Sequence, residues 1–117
     1  MQLNHLDIYS KAPEKTAKFF IDCLGLTLAE VRGESSFFRL ADEAGFVLIV
    51  SPPPKIFNGA DQETLNAQTY HIGFLQATRE KVDELHRVIF AQGFDIAAPK
   101  EMHGAYAFYV VIPGNVM

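Results

Sequence analysis

Between Leu3 and Tyr9 the chain alternates, with Leu6 and Ile8 on one face and His5, Asp7 and Tyr9 on the other. This two-residue period predicts a strand with one apolar face and one face free for chemistry. Pro13 then suits the first turn of a helix, and Ala17, Phe20, Ile21 and Leu24 recur at helical spacing until Gly25 stops the run. Three short strand-like runs follow, Thr27 to Val31, Ser36 to Leu40 and Phe46 to Val50. Gly33 and the Asp42-Glu43-Ala44-Gly45 turn separate them, so residues 1–50 read β-α-β-β-β.

Residues 51–68 change character. Pro52-Pro53-Pro54 cannot donate ladder hydrogen bonds, and the stretch that continues through Asn58-Gly59-Ala60-Asp61 is polar, which predicts a connector. It reads equally as a semi-rigid arm or as a short capping helix near Gln62 to Ala67. From residue 69 the first pattern returns. Tyr70-His71-Ile72-Gly73-Phe74 matches Asn4-His5-Leu6-Asp7-Ile8, with each histidine on the face opposite the apolar pair. Val82, Leu85, Val88 and Ile89 form a second helical stripe that runs from a Thr78 N-cap to Gly93. Phe94 to Ala97 and Tyr106 to Ile112 fill the places of later strands, and Pro113-Gly114-Asn115 fills that of the earlier turn.

The chain is thus expected to be a single domain, residues 1–117, holding the same unit twice: module one 1–50, connector 51–68 and module two 69–117. Where the first copy continues through Phe46 to Val50, the second ends at Val116-Met117, so its last strand is expected to be cut short. Continuation of the natural chain past Met117 is the favoured reading; a sheet edge covered by something else is the other.

Composition narrows the function classes. A chain of 117 residues with 49% hydrophobic residues can bury one core, and a net charge of −4 leaves no basic stripe for phosphates or anionic lipid. Nucleic acid and membrane are therefore set aside as partners, and a small-molecule ligand or substrate is expected. No apolar run reaches membrane-spanning length and no signal-like N-terminus is seen, which makes the cytoplasm the expected location. The lone Cys23 lies among Phe19, Phe20 and Leu24, where a buried spectator is expected.

Asn4-His5-Leu6-Asp7-Ile8, Phe19-Phe20-Ile21-Asp22-Cys23-Leu24-Gly25-Leu26, Tyr70-His71-Ile72-Gly73-Phe74 and Ile112-Pro113-Gly114-Asn115 together resemble the glyoxalase/bleomycin resistance/dioxygenase (vicinal oxygen chelate) superfamily. The likeness spans essentially the whole chain in order and spacing. It implies an α+β fold of two tandem βαβββ modules, whose curved mixed sheet surrounds a cleft. In metal-using members the ligands come from the first strand of each module and from a carboxylate on a closing strand. By position His5 and His71 match the two first-strand ligands. The carboxylate of the second module would fall one position beyond Met117, and its counterpart in the first module is Ile49, which cannot bind metal.

Two imidazoles and a carboxylate would suit a divalent ion, Fe, Mn, Zn or Ni, acting as a Lewis acid toward adjacent oxygens. Taken singly, each histidine reads more readily as a core-edge residue with a hydrogen-bond partner; their equivalence in two copies is what directs both into one hollow. Asp7, on the face of His5, and His103, in the loop before the Tyr106 strand, are the other donors within reach. Arg39, between Phe38 and Leu40, is a candidate for a ligand carboxylate or phosphate, or is an edge-strand arginine in water or paired with Glu34. Phe37, Ile49, Tyr106, Phe108 and Tyr109 complete the candidate ligand-binding set, although strand alternation allows only some of them to face a cleft. Three functions compete. They are a metal-dependent lyase, isomerase or dioxygenase acting on a small oxygenated substrate, a metal-free drug or metabolite binder, and a dimerisation or regulatory module. A homodimer is expected, with the cleft built within one chain or across two.

Overall fold

In the computed structural model, which describes residues 1–34, 36–53, 71–114 and 116, six strands and two helices follow in the order β1 (His5–Tyr9), α1 (Pro13–Leu24), β2 (Thr27–Arg32), β3 (Phe37–Ala41), β4 (Val47–Ser51), α2 (Arg79–Ala91), β5 (Lys100–Met102) and β6 (Ala105–Ala107). The fold is α+β. Strands β1 to β4 form one sheet in the order β1-β4-β3-β2, and β5 and β6 form a separate antiparallel pair. β4 runs parallel to β1, from which the α1 crossover separates it, and antiparallel to β3, to which a hairpin joins it.

Alternation decides which face is buried. Ile8, Val50 and Phe38 are in register across three strands, as are Leu6, Leu48 and Leu40. Leu40, Leu48 and Val50 are completely buried, while Leu6 at the sheet edge stays partly exposed. Helix α1 covers this face with Ala17, Phe19, Phe20 and Cys23. Burial raises the Cys23 thiol above its ordinary value. The Gly25 C-cap closes the helix at φ +71°, where its N–H bonds the Ile21 carbonyl (3.2 Å) and that of Leu26 bonds Phe20 (3.1 Å). Helix α2 lies beside α1; the Thr78 hydroxyl caps it by accepting the Lys81 N–H at 3.2 Å, and Phe94 packs edge-on against Phe19. Among the described residues no helix is long and apolar enough to cross a membrane.

The second half departs from the expected strands. Phe94–Ala97 is irregular, only three residues on each side of the hairpin pair in β5 and β6, and His71–Gln76 belongs to no strand. The physical reason lies in the first half, where β4 sits between β1 and β3 and supplies both with hydrogen bonds. Among the described residues nothing takes that place between His71–Gln76 and β6, so neither segment has a ladder partner there. The corresponding hairpins do match at their first rung: Asp42 N–H bonds Phe46 O (3.1 Å), and Ile112 N–H bonds Val116 O (2.8 Å). Ser51 is the last residue of β4 rather than the first of a connector. The choice between a semi-rigid arm and a short capping helix near Gln62 to Ala67 falls outside the described residues.

The halves are joined by a buried polar chain. Ala12 N–H donates to Ser10 Oγ (2.9 Å), Ser10 Oγ lies 2.7 Å from Thr16 Oγ1, and the Thr16 hydroxyl donates to the Pro113 carbonyl. Gly114, at φ +90°, follows directly and lies against the same two hydroxyls.

Candidate functional site

Alternation leaves the opposite face of the four-stranded sheet for polar groups. Register places Asp7 beside Ile49, Ile49 beside Arg39, and Arg39 beside Glu30, a row that crosses all four strands. His5 shares this face on β1 and Phe37 shares it on β3. Five expected residues thus share one face, His5, Asp7, Phe37, Arg39 and Ile49, with His5 and Phe37 at opposite ends of it. Ile49 and Phe37 are half-buried, whereas His5, Asp7 and Arg39 are exposed. The result is an apolar floor flanked by an acid and an imidazole at one end and a guanidinium at the other.

Hydrogen bonds fix parts of this row. Ser51 Oγ donates to Asp7 Oδ1 at 2.9 Å, which orients the carboxylate. Asn4 Nδ2 lies 3.1 Å from His5 Nδ1. Glu30 faces Arg39 in register, yet its Oε1 accepts from Arg32 Nε at 2.5 Å, and the Arg32 guanidinium also lies 5.9 Å from the centre of the Phe37 ring. Among the described residues Arg39 has no hydrogen-bond or ion-pair partner, and Glu34 does not pair with it.

The remaining candidates fall elsewhere. His71 meets Tyr109 edge-on, with ring centres 5.4 Å apart, and both side chains are exposed. His103 sits at φ +50° in the β5–β6 turn. Tyr106 and Phe108 are directed toward α2 and away from the exposed side that carries Tyr109. The Tyr106 hydroxyl donates to Asp83 at 2.6 Å beneath the Arg79 guanidinium, and Phe108 packs edge-on against His86 at 5.2 Å. The hydrogen bond to Asp83, with burial a smaller cause, raises the Tyr106 phenol above its ordinary value. Tyr106 and Phe108 thus meet α2, while Tyr109 meets His71.

An apolar cleft of about 280 Å³ opens between His71–Gln76 and the segment from Ala105 to Ile112. Its floor is formed by core-facing residues of the helices, Phe20 and Leu24 from α1 and Leu85 and Ile89 from α2. It lies between His71–Gln76, which has no ladder partner among the described residues, and a segment that pairs only through β6; His71, Tyr106, Phe108 and Tyr109 are in its lining, and it is separate from the row on the first sheet. Ser51 and the Glu30–Arg32 pair were not foreseen from sequence. The signal for Ser51 was available: it continues the Val47-Leu48-Ile49-Val50 alternation onto the face of Asp7.

A metal centre finds poor support in the donor set. Among the described residues no three His, Cys, Asp or Glu side chains form a group able to hold an ion. The neighbour of Asp7 across β4 is the hydrocarbon of Ile49. Among the described residues the donors therefore do not make up the ligand set for the divalent ion that the resemblance implies.

Comparison with known proteins bears on the fold. The model of the Glyoxalase/Bleomycin resistance protein/Dioxygenase superfamily matches residues 2–113. Among solved structures, a possible glyoxalase from Bacillus cereus is 29% identical, with a TM-score of 0.81, covering 99% of this chain and 94% of that one. An antibiotic-binding protein from Streptomyces is 15% identical with a TM-score of 0.72, over 99% of this chain and 90% of that one. A variant of the fosfomycin resistance protein from Listeria monocytogenes, in complex with Mn(II), is 17% identical with a TM-score of 0.66, over 99% of this chain and 84% of that one. No curated protein matches the chain.

Proposed function

This chain belongs to the glyoxalase/bleomycin resistance protein/dioxygenase superfamily, and on that footing we propose that it binds a small organic molecule on the open face of its first sheet, as a metal-free drug- or metabolite-binding protein. The observation that carries this reading is the row Asp7, Ile49, Arg39, in which an apolar centre stands between two oppositely charged ends. Such a floor contributes desolvation at its middle and orientation at its ends, the division of labour that small-molecule sites use. Ile49 also replaces a carboxylate with hydrocarbon at the position where the resemblance places a metal ligand, and one structural neighbour with this fold is an antibiotic-binding protein.

The experiment is a thermal-shift screen against planar and aromatic compounds, with and without a chelator. Ligand at one hundred times its Kd should stabilise the protein by about 2.7 kcal/mol. Stabilisation that survives the chelator supports the binder; stabilisation lost with the chelator rejects it.

A metal-dependent lyase, isomerase or dioxygenase is the second reading, favoured by the matching places of His5 and His71 in the sequence repeat. Equilibrium dialysis of untagged protein against Fe(II), Mn(II), Zn(II) and Ni(II) tests it, with His71→Ala as the control. Binding of one ion that the substitution abolishes would establish the second reading over the first. A homodimer in the cytoplasm is part of the proposal; the exposed Leu28 and Val31 on edge strand β2 support the dimer. Light scattering that shows a monomer at high concentration would remove that part.

A further inference from the structure

We infer that the ligand of this face carries an oxyanion, a carboxylate or a phosphate-type group, and that Arg39 holds it; the inference rests on the binding function proposed above and names its ligand class. The first support is position. β3 lies inside the sheet, between β4 and β2, so Arg39 stands on the face itself and not at an edge that opens to water on one side. Half-buried Ile49 and Phe37 share that face with it.

The second support is the disposition of the neighbouring charges. Glu30 is the carboxylate that register sets directly opposite Arg39, and an acid in that place would be its natural partner. Glu30 is instead taken by Arg32, at 2.5 Å. Arg32 is therefore committed to Glu30 and to the Phe37 ring, while Arg39 keeps its guanidinium free among the described residues. A planar fork of N–H donors on an apolar floor matches the two oxygens of a carboxylate or phosphate-type group.

The far end of the row sets the ligand's direction and length. The Asp7 carboxylate repels a second anion, so the oxyanion goes to the Arg39 end and a hydrogen-bond donor to the Asp7 end, where Ser51 occupies one acceptor position only. Asp7 and Arg39 stand two strand spacings apart, about 10 Å. A molecule with an acid at one end, an apolar ring in the middle and a hydroxyl at the other end fits that distance.

The test uses 4-hydroxyphenylacetate, its neutral amide 4-hydroxyphenylacetamide, and 4-hydroxybenzylphosphonate as probes, titrated into the whole chain while the Ile49 methyl signals are followed by NMR. The acid or the phosphonate is expected to bind at least tenfold tighter than the amide, and comparison of the two acids identifies the oxyanion. Arg39→Gln should erase that preference, and Arg39→Lys should retain part of it. Acid and amide binding equally well, with Ile49 shifted by both, would overturn the inference and leave the binding function standing. Other ligands shifting Ile49 while all three probes fail would overturn it in the same way. If no compound of any class shifts Ile49, the binding function fails and the inference falls with it.

Discussion

Replacing Gly114 with alanine should be among the most damaging single-methyl changes in the protein. Gly114 sits at φ +90°, a conformation that costs an L-residue about 1–2 kcal/mol. A Cβ there would lie 2.6 Å from Thr16 Oγ1 and 3.0 Å from Ser10 Cβ, and inside the contact distance of Ser10 Oγ. Neither hydroxyl can retreat cheaply, since Ser10 and Thr16 are buried and joined to each other and to the Pro113 carbonyl. Overpacking of this kind costs about 1–3 kcal/mol, and a lost buried hydrogen bond adds about 1 kcal/mol. The sum, about 3–6 kcal/mol, is a large share of the roughly 5–15 kcal/mol that holds a domain folded. Gly45→Ala supplies the internal control, because Gly45 has nearly the same φ, +85°, with nothing within 4 Å of the added Cβ. Urea unfolding followed by circular dichroism should show Gly114→Ala losing about 2–4 kcal/mol more than Gly45→Ala, the packing and hydrogen-bond parts together. Equal losses in the two variants would refute the docking of the Pro113-Gly114 turn onto Ser10 and Thr16.

Leu48→Ala, at a completely buried site under α1, should cost about 2–5 kcal/mol in the same assay, well above Val47→Ala on the other face of β4. Tyr106→Phe should lower stability at neutral pH. The raised phenol of Tyr106 is a folded-state value above the unfolded one, so its contribution is present below the unfolded value near pH 10 and is lost as the pH climbs through the folded value. The gap between wild type and Tyr106→Phe should therefore close in strongly alkaline solution; a gap that widens there would contradict the Tyr106–Asp83 bond. Cys23, buried with its thiol pushed upward, should react with a thiol reagent only when the structure opens, so that urea accelerates labelling in step with unfolding.

The first half was legible because each of its signals is local. Alternation in β1, β3 and β4 separates the helix-facing residues from the row of Asp7, Ile49 and Arg39, and Pro13 and Gly25 mark both ends of α1. In the second half, local signals found α2 and its Thr78 cap, but strands need partners. Among the described residues His71–Gln76 has the right alternation and no ladder, and Phe94–Ala97 has the composition of a strand and no neighbour to pair with. The same limit applies to the site. Sequence could list Tyr106, Phe108 and Tyr109 as aromatic candidates, and alternation said that they divide between two faces, but which face looks toward α2 is settled only by Asp83 and His86 coming to meet Tyr106 and Phe108. The Glu30–Arg32 pair was equally invisible, because a bulge between Leu28 and Glu30 sets the β2 register that places Glu30 opposite Arg39.

The most direct test of a ligand face on the first sheet is a methyl-resolved NMR titration of isoleucine-, leucine- and valine-labelled protein with the best compound from the thermal-shift screen. Ile49 and Leu48 are adjacent in β4 and point to opposite faces, so they report the two sides of one strand. The Ile49 methyls should move on ligand addition while those of Leu40 and Leu48 stay in place. Shifts confined to Ile72, Leu85, Ile89 and Ile112, which line the apolar cleft of the second half, would place the ligand there instead and contradict the account.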